Sequence, residues 1–561
     1  MSRSLLWAVS LSALLTGVTL FSRPLLPVDE TRYLSVAWHA YESGDYLVPH
    51  LNGDTYAHKP PVLFWLINLV WQATGVSISA ARWVVPAGGM GCLWLTWLLA
   101  RRLWPQSPET ADCAPLILVS SMLWMVMLPL TMFDTLLTFF SLASLLGVVQ
   151  AAQGRFWIGW MTAGLAMGLG ILTKGPVILV HVLPAALAAP WWAPPARRFW
   201  IKWYAGLMCC MLLAATVGLS WALPAATAGG EAYASELLYG QTAGRMVQSF
   251  AHKEAIWWYL PWVPVCLLPW LNFVPLWRGI FSFRPDGGLK FSAVAGLSTL
   301  LIMSLVSGKQ IHYLVPMLPH CAMAISRLAS MRADTKVERR DQLLPAAATV
   351  LLGMTPVIIN WQHPSGSEAV AGLVSSVYSI PLVLFGVAVA IIPAGTVLRA
   401  VTVISTFSIA FLSVIVFALS STMWDGFDLE PLARFVHQTR QPICWFKGYH
   451  GQINLIGRIS RVTEVSSEDD LQHWLEDAPE GVVVMRLSHS DPAWVDVLPM
   501  MQEIDRTSPT AEQQQALIVA LSSIDRFPLR KQLRQIVYVQ WIRSGLYSSP
   551  HLVLKYAPAV E

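Results

Sequence analysis

About thirteen stretches of this chain are apolar over nearly the length a helix needs to cross a bilayer, and that repetition restricts the fold more than any other feature. They lie near 4–22, 80–100, 114–131, 135–152, 157–173, 175–192, 200–222, 256–277, 290–307, 311–329, 343–360, 376–393 and 397–421. In hydrocarbon every backbone N–H and C=O must be paired internally, so the spacing predicts a multi-pass α-helical membrane protein. Charge agrees, since only 12% of the 561 residues are charged, about half of what a soluble chain carries. A net charge of +4 points to no nucleic-acid partner. The first stretch is too long for a signal-peptide core and lacks a good cleavage site after it, so an uncleaved first helix is expected. The apolar run 61–75 is too short to span and is expected as an interfacial helix, with Trp65 and Trp71 at headgroup depth.

The loops alternate in charge. Arg3, Arg101, Arg102, Arg155, Arg197, Arg198, Lys202, Arg278, Arg327 and Arg399 are among the cations that fall on one side, which the positive-inside rule makes cytoplasmic. An odd number of spans then puts the loop 23–79, the loop 223–255 and the C-terminal tail outside. From about Asp425 the composition turns ordinary for a soluble domain. β-branched runs at 442–450, 482–487, 536–543 and 551–556 alternate with polar helical stretches, so residues 425–561 are expected to form an extracytoplasmic α/β domain after a membrane domain at 1–424.

The loop after the first apolar stretch holds Asp29, Glu30, Arg32, Asp45, Asp54, His58 and Lys59. Asp29 and Glu30 suit a helix N-terminus as capping and first-turn acids, and they equally suit a catalytic carboxylate pair. Asp134 is a lone acid between two apolar helices, fit either to cap the second or to line a cavity. Lys174 and Lys309 end further apolar helices, where snorkelling is the ordinary role of a lysine. Arg245 lies in the second outer loop, and Tyr313 follows Lys309 closely. All of these are predicted at one bilayer face. Acids beside several cations at a membrane surface suit group transfer from a lipid-linked phosphate, because Lys and Arg stabilise the charge that grows on the leaving phosphate. Asp29 would take a proton from an acceptor hydroxyl or orient an acceptor that is already anionic.

The segment DETRYLSVAWHAYESGDYLVPHLNGDTYAHKPP resembles the first extracytoplasmic loop of the bacterial aminoarabinose transferases and related lipid-phosphate-dependent glycosyltransferases. FDTLLTFF at Asp134, LTKGP at Lys174, the Gly-Arg-Met at Arg245 and SGKQIHYLVPMLP at Lys309 continue the resemblance in order and spacing. It implies a GT-C fold of about thirteen transmembrane helices, an extracytoplasmic α/β tail, and a bacterial inner-membrane location. It implies inverting transfer of a sugar, in the best-known members 4-amino-4-deoxy-L-arabinose, from undecaprenyl phosphate to lipid A. By the same resemblance Asp29 takes the catalytic acidic position and Lys59 and Arg245 contact the donor phosphate, while Glu30 is expected as the second acid of the catalytic pair. Arg32, Tyr56, His58, Asp134, Lys174, Lys309 and Tyr313 are further substrate-binding positions. The family commonly has Glu where this chain has His58, and the stretch before Arg245 lacks a histidine that the best-known members carry. No cofactor or metal is therefore expected. Membrane lipids, the lipid-linked donor and lipid A or another periplasmic acceptor are the expected partners. Two alternatives remain: the same donor with a protein or another glycan as acceptor, and a lipid-linked-sugar transporter. Transport would favour midplane charges and repeated halves, neither of which the sequence shows.

Overall fold

A computed structural model describes residues 2–244, 254–282, 284–331, 336–355, 357, 376–420, 424, 427–438, 442–478, 482–486, 536–542 and 551–556. The chain divides into two compact units. The first comprises Met1–Ser22, Gly44–Pro49 and Thr55–Ala418; the second comprises Arg23–Ser43, His50–Asp54 and Leu419–Glu561. The first polar loop is thus shared between them.

The first unit is helical. Among the described residues seven helical stretches are long and apolar enough to cross a membrane: Arg3–Ser22, Ile78–Leu103, Phe133–Ala152, Phe156–Leu187, Trp200–Gly240, Gly287–Leu305 and Val397–Ala418. The larger number of apolar windows has a backbone explanation. Hydropathy does not register the prolines and glycines that break a helix. The window 256–277, with Pro261, Pro264, Pro269 and Pro275, becomes three short pieces. The window 311–329 opens as a 3-10 turn, Ile311–Met317, before the helix Leu318–Ser330. At Gly175, whose φ is +76°, the stretch Phe156–Leu187 bends sharply.

Packing within this unit relies on small residues, as expected where lipid offers no hydrophobic drive between helices. The helices Phe133–Ala152 and Phe156–Lys174 form an antiparallel pair joined at Gly154. A Cβ on Gly147 would lie 2.5 Å from the carbonyl oxygen of Gly159, and one on Gly159 would lie 2.4 Å from the Ala151 nitrogen. The helix Arg3–Ser22 buries Leu5, Ala8, Leu11 and Leu15 against its neighbours, and Trp7 donates to Thr406 Oγ1 at 2.9 Å. Val62–Thr74 is a helix, but Trp71 is fully buried and donates to the Ser77 carbonyl, so it is a packing residue and not a headgroup anchor.

The second unit carries a five-stranded mixed sheet. Its strands are β1 (Ile443–Phe446), β2 (Thr463–Val465), β3 (Val482–Arg486), β4 (Ile536–Ile542) and β5 (His551–Tyr556), in spatial order β2-β1-β3-β5-β4. β1 runs parallel to β2 and β3, while β5 runs antiparallel to β3 and β4. Four of these strands coincide with the β-branched runs; the short β2 lacked a periodic signature. The amphipathic helix Glu430–Gln438 sets Leu432, Ala433 and Val436 in one core with Trp445. The helix Asp29–Ser43 belongs to this unit too.

Candidate active site

In the first unit the helical pair brings two distant charges together. Asp134 sits in the first turn of Phe133–Ala152 and Lys174 is the last residue of the antiparallel Phe156–Lys174. Each charge lies at the helix end whose dipole favours it. Lys174 Nζ is 2.6 Å from Asp134 Oδ1, with both side chains largely buried. His312, in the 3-10 turn, places Nε2 3.8 Å from Asp134 Oδ2, and Lys174 Nζ also lies 4.7 Å from the Tyr313 ring centroid. The ring of Tyr313 is therefore within the range of a cation–π contact.

Lys59 reaches the same place along an aromatic row. Tyr56 packs edge-on to Phe64 and Phe64 edge-on to Phe133, at 6.3 and 5.8 Å between centroids. Lys59 Nζ stands 5.8 Å from the Phe133 ring, and its charge acts on the Asp134 carboxylate. Pro61, with φ −86° and ψ −13°, leads directly into the helix Val62–Thr74. One carboxylate thus faces two ammonium groups and an imidazole. With two ammonium groups against one carboxylate, the cluster carries a surplus positive charge, which suits an anionic headgroup.

Two expected positions lie differently. Lys309 is buried and donates to the carbonyls of Val306, at 2.7 Å, and Glu254, at 3.0 Å. It ties a helix end to the segment before Tyr259, whose hydroxyl in turn bonds the backbone of Gln310. His58 pairs with an acid that the sequence did not single out: its Nε2 is 3.1 Å from Glu236 Oε1. Arg245 lies outside the described residues.

The remaining acids belong to the second unit. Asp29 opens the helix Asp29–Ser43 with a half-exposed carboxylate. Arg32, three residues on, pairs with its Oδ1, and the Tyr33 hydroxyl donates to the same oxygen at 3.0 Å. Glu30 is instead buried against Arg23, with contacts of 2.5 and 3.0 Å, and accepts from the Leu26 backbone N–H at 3.0 Å. A carboxylate with three donors inside the protein is a structural brace for the loop. Arg23 and Tyr33 gave no signal in the sequence beyond standing near two acids.

Comparison with known proteins accords with this fold. Residues 58–221, which include Lys59, Asp134 and Lys174, match the family described as dolichyl-phosphate-mannose-protein mannosyltransferase. An undecaprenyl phosphate-α-4-amino-4-deoxy-L-arabinose arabinosyl transferase of Pseudomonas fluorescens is 29% identical over 63% of this chain. A protein of the same name from Pseudomonas paraeruginosa is 29% identical over 70% of it. These alignments cover 65% of the first relative, just under two thirds, and 76% of the second. The crystal structure of ArnT from Cupriavidus metallidurans bound to undecaprenyl phosphate superposes with a TM-score of 0.71, at 17% identity and over 98% of both chains. The chain shares the fold of ArnT, and its sequence is similar to the two arabinosyl transferases. The apo structure of the same ArnT gives a TM-score of 0.69 over 90% of this chain. For a GT-C fold, the Asp134–Lys174 pair at helix termini is the feature to be explained chemically.

Proposed function

We propose that this chain transfers a sugar, 4-amino-4-deoxy-L-arabinose, from undecaprenyl phosphate to lipid A at the periplasmic face of the bacterial inner membrane. The observation that carries the reading is the cluster of Lys174, Lys59 and His312 around the buried Asp134. Charges at the ends of membrane helices are costly unless used, and a phosphate-bearing lipid uses them. The names of the relatives supply the donor and the sugar.

In the reaction an acceptor oxygen attacks the anomeric carbon as the bond from that carbon to the phosphate oxygen breaks. The electron pair leaves with undecaprenyl phosphate, whose charge rises by one unit. Lys59, with Arg245, stabilises that charge, and Lys174 is held ready by Asp134 with its ammonium oriented. Arg32 and Tyr33 fix the Asp29 carboxylate in one direction. A lipid A phosphate is already ionised at neutral pH, so on this acceptor Asp29 orients the nucleophile and need not remove a proton. Tyr56, His58 and Tyr313 line the path of the donor headgroup, Lys309 supports the backbone around it, and Glu30 braces the loop that carries Asp29.

The test is mass spectrometry of lipid A from cells with and without this protein. An added aminoarabinose mass on a lipid A phosphate supports the reading. The description of the matching family favours a second one, in which a lipid-linked sugar goes to protein. Unchanged lipid A together with a newly glycosylated protein would establish that alternative.

A further inference from the structure

The structure ties the helix that begins at Asp29 to a segment more than 400 residues further along the chain. Ser35 is almost fully buried on that helix. Its Oγ donates to the Gly451 carbonyl at 2.8 Å and accepts from the Leu455 N–H at 3.3 Å. Trp38, one turn on, lies with its ring 6.0 Å from the Arg458 guanidinium. Residues three apart share a helix face, so Ser35 and Trp38 mark the docked side.

The adjoining turn is gripped by the same segment. Asn52 and Gly53 both have positive φ, at 55° and 92°, a conformation that Asn and Gly tolerate best. Asn52 Nδ2 donates to the Val462 carbonyl at 2.8 Å, while its Oδ1 accepts from Val462 N–H at 2.7 Å and from Asn454 Nδ2 at 3.2 Å. Asn454 is held in turn by the Tyr449 hydroxyl at 2.6 Å and the Ile459 carbonyl at 2.8 Å. Gly451 has φ +75°, and a Cβ there would come 2.4 Å from Leu51 Cδ1, so the close approach needs glycine.

We infer that the segment 449–462 is a clasp that orients the Asp29 helix for transfer, with Ser35, Asn52 and Asn454 as positioning residues. The inference rests on the role of Asp29 proposed above. A helix is stiff over the six residues from Asp29 to Ser35, so holding Ser35 fixes the direction of the carboxylate. The C-terminal part is then a component of the catalytic apparatus, not an appended binding module. Misplacing a reacting group by about 1 Å can cost roughly 10²-fold in rate.

The experiment uses the full-length protein in nanodiscs with an undecaprenyl-phosphate-linked aminoarabinose donor and lipid A. It measures kcat, the donor KM, and amide exchange of the peptide 29–43. For Ser35→Ala the expected result is a kcat lowered about 10- to 100-fold, a donor KM within about twofold, and faster exchange. Ser35→Thr, which keeps the hydroxyl, restores all three. Asn52→Gly keeps the turn's backbone and removes only the side chain, so it should act in the same direction even where Ser35→Ala fails to fold. Faster exchange with an unchanged kcat overturns the positioning role, and unchanged exchange in both variants overturns the clasp itself. A wild-type protein that transfers no sugar defeats the transferase reading alone. The exchange arm still decides the clasp in that case, faster exchange supporting it and unchanged exchange overturning it.

Discussion

Replacing Lys174 with Met removes one half of the pair at the end of the Phe133–Ala152 and Phe156–Lys174 helices. The ammonium and carboxylate are 2.6 Å apart. At an effective dielectric near 20 their attraction is about 6 kcal/mol, against which both pay desolvation. What the single variant exposes is a buried acid that has lost its hydrogen-bonded partner and keeps the charge of Lys59 near it without a bond. Asp134 is buried, and the His312 imidazole stands 3.8 Å from it, too far to take over the hydrogen bond. Stranding a buried charge costs about 3–5 kcal/mol. For a unit of about four hundred residues that corresponds to a fall of roughly 4–6 °C in Tm. The double variant Asp134→Leu, Lys174→Met has no stranded charge and should regain most of the loss, because an apolar replacement of a whole pair is often neutral. The assay is tryptophan-fluorescence melting of the purified protein at one fixed scan rate, since unfolding of such chains is commonly irreversible. A Lys174→Met protein that melts within 1 °C of wild type, or a double variant no better than the single one, would refute the reasoning. Transfer activity should be lost in both, which separates the stabilising role of the pair from its chemical one.

Asp29→Ala should abolish turnover while leaving donor binding within a few-fold, read by kcat beside a direct binding titration; normal turnover would remove Asp29 from the mechanism. Glu30→Gln strands the buried Arg23 and should cost about 3–5 kcal/mol, seen as faster proteolysis of the loop. Lys309→Met leaves the Val306 and Glu254 carbonyls without their shared donor; loss of about 1–3 kcal/mol is expected, measured by melting. Cys444 is buried in β1, and burial, with Glu464 nearby, pushes its thiol up to about 12. Because only the thiolate reacts, maleimide labelling of Cys444 should stay negligible between pH 7 and about 9 in the folded protein. Above about 9 the unfolded thiol ionises and the folded one does not, so stability falls as pH rises. Ready labelling at pH 8 would contradict the burial.

Much of this fold was legible because membrane helices and β-strands are local patterns. The apolar runs located the spans, and the β-branched runs located four of five strands. The count of long spans was not legible, since hydropathy sums over Pro261, Pro269 and Gly175 without registering the bends they impose. At the candidate site, the sequence singled out Asp134, Lys174, Lys59 and Tyr313 one by one as odd charges or rings at helix ends. It could not pair them, because the pairing depends on Gly147 and Gly159 letting two helices touch. The sequence singled out Glu30 as a catalytic acid and Lys309 as a substrate ligand without sight of their partners, Arg23 and backbone carbonyls, which carry no pattern in it. The bonds from Asn52 to Val462 span 410 residues, beyond the reach of any periodicity.

That separation bears on how the protein is made. The helix Asp29–Ser43 leaves the ribosome among the first segments, yet the groups that bury Ser35 and Asn52 are synthesised near the end. Until they arrive the loop has no finished surface to rest on, and loop-closure entropy of the longest kind opposes its capture. A frameshift or stop between about residues 419 and 449 would leave every described membrane helix encoded and the Asp29 helix undocked. Such alleles should be inserted but inert, failing by a missing embrace and not by a missing active-site residue.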